Sequence, residues 1–147
     1  MSRKLTMNPN FVPVPVHETD ELFRNGIFEW NITCVIRMIE DSERDFFKTA
    51  IDIRSVSLSP FLKDEHVEAA DLSKPIIQAE ILPEVYLTID GNHRVAKARR
   101  KQVQRLEAYR LSADQHIPFF TSVRSYQTFI DYWNSKVERS VQRGRSS

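Results

Sequence analysis

The chain has 147 residues, of which 41% are hydrophobic and 28% charged, and its net charge is +1 at pH 7. That length and apolar content suit one compact core, three glycines and seven prolines exclude a low-complexity chain, and the near-neutral charge excludes the general basicity of a DNA-coating protein. No apolar run approaches the roughly 20 residues of a membrane span, and the first 16 residues lack a secretory hydrophobic region, so a soluble, cytoplasmic protein with no membrane partner is expected. Cys34 is the single cysteine, which rules out an internal disulfide and a metal site built from thiolates.

Residues 1–16 carry Pro9, Pro13 and Pro15 and are predicted to form an extended arm, either an edge strand or a segment wrapped on the domain. Thr19 or Asp20 is placed to cap a short helix through Phe23 that ends near Gly26. From Glu29 to Met38, Trp30, Ile32, Cys34, Ile36 and Met38 alternate with Asn31, Thr33, Val35 and Arg37, which predicts a half-buried strand. The acidic turn Glu40-Asp41-Ser42-Glu43 then leads to a second strand within Phe47 to Ser57, and the pair reads as a hairpin. A short helix is expected over PFLKDEHVEAADL, after Ser59. Further on, Tyr126, Phe129, Ile130, Trp133 and Val137 recur at three- and four-residue steps. They predict an amphipathic helix over Ser125 to Gln142 that packs on a sheet, followed by a basic, fraying tail at residues 139–147.

The stretch from Tyr86 to Leu111 carries the most chemistry. Tyr86 to Ile89 read as a strand, Asp90-Gly91 as a turn whose glycine can adopt backbone angles closed to other residues, and the residues from Asn92 or His93 onward as a helix. The first amides of such a helix lack internal partners and carry the positive end of its dipole, so a phosphate is welcome there. His93 and Arg94 stand beside those amides; the guanidinium offers a planar fork of donors and the imidazole can donate or pass a proton. At about 100° per residue, Val95, Ala96, Ala98 and Val103 fall on one arc and Arg94, Lys97, Arg100 and Lys101 on the opposite one, with Arg99 and Gln102 intruding on the apolar side. A plain turn followed by a solvated basic face is the competing reading. Charge is nonetheless segregated: residues 1–93 hold nine basic and sixteen acidic side chains, residues 94–110 seven basic and one acidic, and residues 136–147 four basic and one acidic.

The run KPIIQAEILPEVYLTIDGNHRVAKARRKQ resembles the ParB/sulfiredoxin fold, in which a Pro-Ile strand is followed by a second strand, a glycine-containing loop and a helix that begins with an arginine. Lys74-Pro75-Ile76-Ile77 matches the first strand, Tyr86 to Asp90 the second, and Gly91-Asn92-His93-Arg94 the loop; the match covers about residues 60–111. The resemblance implies a single α+β domain over residues 17–138, with a small mixed sheet, surrounding helices and the C-terminal amphipathic helix. It also implies a nucleoside triphosphate held by the loop. Sulfiredoxins have a cysteine where this chain has Asn92, which argues against that activity. Chromosome-partitioning ParB proteins bind CTP on a Gly-Glu-Arg-Arg type loop and add a DNA-binding domain for which this chain has little room. Free-serine kinases have an Asp-Gly-His-Thr-Arg type loop and an earlier glutamate as base; here Glu65 would be the counterpart, with Glu68 and Glu80 as rivals.

The expected site therefore consists of Gly91, Asn92, His93, Arg94, Lys97 and Lys101 around the phosphates. Asp90, His93 and Glu65 are the candidate catalytic groups, and Asp90 is the candidate magnesium ligand. The expected chemistry is phosphoryl transfer or nucleotide hydrolysis. A ParB-like nucleic-acid-binding protein or nuclease, using the basic helix on a DNA or RNA backbone, is the alternative, and a non-catalytic partner-binding protein is the third reading. His17, His66 and His116 show no metal-ligand spacing with His93.

Overall fold

Tight alternation and turn chemistry divide the chain into two sheets, which a computed structural model describes over residues 3–59 and 62–145. The first is a two-stranded antiparallel hairpin, β1 (Leu22–Asn25) and β2 (Phe28–Asn31), turning at Gly26 with φ of 60°. The chain then forms α1 (Ile32–Asp41), β3 (Phe47–Asp52), α2 (Asp64–Ala69), β4 (Ile76–Leu82), β5 (Val85–Asp90), α3 (Asn92–Arg100), β6 (Arg105–Leu111), α4 (Ala113–His116) and α5 (Val123–Arg145). The second sheet has the order β3-β6-β4-β5; β6 is antiparallel to β3 and parallel to β4, and β4 is antiparallel to β5. The architecture is thus α+β with a small mixed sheet, as expected.

Strand alternation gives that sheet two faces. Ile77, Ala79, Ile89, Tyr109 and Leu111 point into the larger core with α1 and α5, where Phe129, Ile130, Trp133 and Val137 supply the helical stripe. Ile76, Leu106 and Ala108 point the other way and pack under Val95 and Ala98 of α3, closing a smaller core with Ile51, Ile53 and Val56. The small residues of α3 let its backbone lie close to the sheet. The arm does wrap the domain. Leu5 exchanges two hydrogen bonds with the Asn134 side chain of α5 (2.7 and 2.9 Å), Trp133 donates to the Arg3 carbonyl at 3.0 Å, and Val14 donates to Phe120 at 3.1 Å without forming a strand.

Several expectations are corrected. The alternation from Glu29 to Met38 continues as strand only to Asn31, because Asn31 accepts from the Cys34 amide at 3.1 Å and caps α1, burying Ile32, Val35 and Ile39 at helical spacing. No hairpin joins that region to β3, which pairs with β6 instead, and the chain leaves the sheet in a 3-10 turn at Ile53–Ser55. The helix expected after Asp20 is absent: Asp20 accepts from the His17 amide and the Asn31 side chain, both at 2.8 Å, and Leu22–Asn25 is a strand. The basic helix ends at Arg100, where Gln102 turns the chain with φ of 57° into β6, a strand that the basic pattern concealed. At the C-terminus α5 continues through Arg145, so residues 139–145 are helical rather than frayed. The start of the expected α2 passage, Pro60 and Phe61, lies outside the described residues.

One buried polar chain joins three parts of the larger core. Trp30 of β2 donates to His116 Nδ1 at 3.1 Å, and His116 Nε2 lies 2.7 Å from the Glu80 carbonyl on β4. Both ring nitrogens are therefore satisfied by the neutral tautomer with its proton on Nε2. Burial drives the His116 pKa down from 6.5 to about 4, against the opposing pull of Glu80 and Asp114. The unfolded chain takes up this proton at a higher pH than the native one. The resulting stability is fully present above 6.5 and is lost as pH falls towards about 4. Denaturant unfolding across that window should show a decline of up to about 3 kcal/mol, and the slope should largely vanish in His116→Phe, which has no proton to bind.

Candidate functional site

The junction between β5 and α3 is built around Gly91. Its φ of 95° and ψ of 20° lie in the left-handed region, and a methyl group in place of its hydrogen would sit 2.6 Å from Ile76 Cγ2 and 2.8 Å from Arg94 Nη1. Only glycine lets the turn press this closely onto the first residue of β4. Because Gly91 occupies the N-cap position with no side chain, the first amides of α3 receive no side-chain cap, leaving them and the dipole available to an anion.

Arg94 is turned inward. Its Nη1 donates to the Pro75 carbonyl at 2.8 Å, its Nη2 lies 3.6 Å from Asp90 Oδ2, and the two side chains are only 18% and 13% exposed. The guanidinium thus ties the end of β5 to the start of β4, and part of its donor fork is engaged within the protein. Asn92 donates to the Thr88 carbonyl at 3.3 Å. The His93 ring meets His66 of α2 edge to face, with centroids 5.4 Å apart. Lys97 donates to the carbonyls of Glu68 and Ala70, each at 2.8 Å, placing its ammonium on the negative end of α2. Lys101 is exposed just beyond α3.

The remaining basic residues of α3 are also engaged. Arg99 donates to the Val56 and Ile53 carbonyls, and Arg100 pairs with Asp64 at 2.6 Å. Much of the basic face is therefore a set of ties to α2 and to the turn after β3.

Of the three acids considered as bases, Glu65 stands exposed in the first turn of α2, and Glu68 is exposed and offers its carbonyl to Lys97. Glu80 caps the β4–β5 turn by accepting from the Glu84 amide at 2.9 Å. The acid that shares the electrostatic field of the loop is one the sequence reading missed, Glu21. Its carbonyl accepts from the Ile32 amide at 2.8 Å and its own amide donates to Thr33 Oγ1 at 2.8 Å, which anchors it at the start of α1. Partial burial raises its carboxyl above the ordinary range, the Asp90 charge adds to this, and Arg94 and His93 oppose it. No local pattern marks Glu21, because 69 residues of chain separate it from Asp90 and only the packing of the β1–β2 region brings them near.

Beside the loop lies a cleft of about 630 Å3 over the part of the sheet that α3 leaves uncovered. Gln78, Thr88 and Arg110 lie on its sheet side, Phe23 and Val56 line it from β1 and from the turn after β3, and Asn92 connects it to the helix start. Among the described residues no three His, Cys, Asp or Glu side chains gather as a metal site, so any magnesium would depend on ligand phosphates together with Asp90. No helix among them is long and apolar enough to cross a membrane.

Comparison with protein-family models, with curated proteins and with solved structures finds no match to this chain. The functional reading rests on the site itself.

Two substitutions separate structural from ligand roles. Gly91→Ala should lower stability by roughly 2 kcal/mol through the left-handed backbone and the Ile76 contact. Arg94→Ala should cost about 1–3 kcal/mol by orphaning the Pro75 carbonyl and leaving Asp90 without its cation. Thermal unfolding without any ligand checks both, and an unchanged Arg94→Ala midpoint would show that the guanidinium is not a tie.

Proposed function

We propose that the protein binds a nucleoside triphosphate at the Asp90–Arg94 loop and carries out phosphoryl transfer or nucleotide hydrolysis. The observation that carries this reading is the uncapped start of α3 at Gly91, which sits beside a cleft and within the field of an imidazole and two carboxylates. The amides of Asn92 and His93 would take phosphate oxygens, and His93 would donate to them or to the leaving oxygen. Glu21, also exposed but within the field of Asp90, Arg94 and His93 and with a raised affinity for a proton, suits the part of general base better than Glu65. Magnesium, held by the phosphates and Asp90, would offset their charge. The resemblance to the ParB/sulfiredoxin fold supports the same loop.

The nucleic-acid reading ranks second, because the intramolecular ties of Arg94, Lys97, Arg99 and Arg100 reduce the positive field left for a backbone. The exposed Lys101 and Arg105 are what favours it.

Calorimetric titration with ATP, CTP and GTP, with and without magnesium, tests the proposal. One nucleotide should bind saturably. Asn92→Asp, which places a negative charge at the helix start, should weaken it about tenfold or more; the gain from an acid at the helix dipole opposes the loss of the hydrogen bond to the Thr88 carbonyl, and the melting temperature reports the balance. Glu21→Gln should retain binding and lose turnover. Absence of saturable binding for all three nucleotides would sink the proposal, and steeply salt-dependent DNA binding would then favour the second reading.

A further inference from the structure

The sheet face left open by α3 carries a hydrogen-bonded row that does more than fill space. Gln78 on β4, 3% exposed, donates through Nε2 to Thr88 Oγ1 on β5 at 3.2 Å, and Thr88 is 5% exposed. The same Gln78 accepts through Oε1 from Arg110 Nε on β6 at 3.0 Å. Arg110 Cζ lies 4.4 Å from the centre of the Tyr86 ring, so the guanidinium is held flat against an aromatic face. Three adjacent strands thus orient one half-buried arginine in the cleft. Register dictates this placement, since Gln78 is paired with both Thr88 and Arg110.

Arg110 differs from the arginines of α3. Among the described residues only its Nε has a hydrogen-bond partner, and it forms no ion pair. Arg110 lines the cleft, and among the described residues its terminal N–H groups have no protein acceptor. The neighbouring acids do not serve it: the Glu80 carboxylate is turned to the Glu84 amide, and Glu84 is exposed on the turn. Arg24, the other cation lining the cleft, faces Glu29 at 3.7 Å. One uncompensated guanidinium, flanked by Phe23, Val56 and Leu87, suits an anion of single charge with an apolar body.

We propose that the cleft is a binding site for a small organic acid, whose carboxylate is taken by the planar donor fork of Arg110. A phosphate dianion is less suited, because among the described residues Arg110 is the one cleft-lining cation without an ion pair, and Glu84 lines the same cleft. Asn92, the first residue of α3, lines another part of the same cleft. The carboxylate site stands independently of the nucleotide reading.

The test uses the full isotopically labelled chain and two probes, benzoate and inorganic phosphate, followed by NMR. Benzoate should shift the Arg110 Nε–H and Gln78 side-chain amide signals saturably, with the backbone amides of His93 and Arg94 unmoved. Arg110→Gln should weaken this at least about tenfold, and Arg110→Lys, which keeps the charge and loses the fork, should also weaken it. The dispersion of each variant's spectrum reports its folding. Absence of benzoate shifts in the wild type, shifts that persist undiminished in both folded variants, or shifts produced by phosphate but not benzoate would each overturn the proposal. ATP binding is read separately at the amides of α3, so failure at Arg110 and failure at the loop are distinguishable.

Discussion

The contact of Gly91 with Ile76 is the constraint on which the rest of this structure depends. Ile76 starts β4, one of the two inner strands of the sheet, and Gly91 ends the turn that launches α3 across the sheet face. The missing side chain brings the two together, and Arg94 then reaches one turn back to Asp90 and across to the Pro75 carbonyl. Backbone permissiveness, a carbonyl–guanidinium hydrogen bond and a short-range ion pair thus set the angle at which α3 leaves the sheet. That angle decides which part of the sheet α3 covers, and therefore where the open cleft lies.

A consequence is that positive charge in this protein has two uses. The arginines and the lysine of α3 mostly hold the fold: Lys97 neutralises the end of α2, Arg99 satisfies carbonyls of the turn after β3, and Arg100 meets Asp64. Such ties satisfy backbone carbonyls that would otherwise lose water without a partner. Arg110 is held by side chains alone and retains its outer donors. A basic residue's worth to a ligand depends on what already occupies its donors, which charge counting along the chain does not reveal.

The two faces of the sheet share the work differently. The face towards α5 is apolar and closed, with the Trp30–His116–Glu80 chain as its buried polar element, and it links β2, α4 and β4 into one unit. The opposite face is apolar only under α3 and becomes polar along β4, β5 and β6, through Gln78, Thr88 and Arg110. The loop, Glu21 and the cleft sit along the boundary of that second face, on strands whose positions the first face secures.

Local rules were enough to show the β5–α3 junction and the stripe of α5, because Asp90-Gly91 and the spacing of Phe129, Ile130 and Trp133 act through nearest neighbours and the helical repeat. The strand at Ile76 and the α+β class came from the resemblance to a known fold rather than from such rules. The same rules misread Glu29 to Met38, since Trp30, Ile32, Cys34, Ile36 and Met38 alternate as a strand would, whereas the Asn31 cap and burial of Ile32, Val35 and Ile39 in the core select the helix. They also passed over β6, whose place between β3 and β4 comes from pairing with residues far away in sequence. The loop Asp90 to Arg94 was legible because a turn and a helix start are local. The approach of Glu21 to that loop, the inward turn of Arg94 and Lys97, and the freedom of Arg110 were decided only by tertiary structure. Each depends on which donor and acceptor meet once distant segments pack, and no periodicity in the chain encodes that meeting.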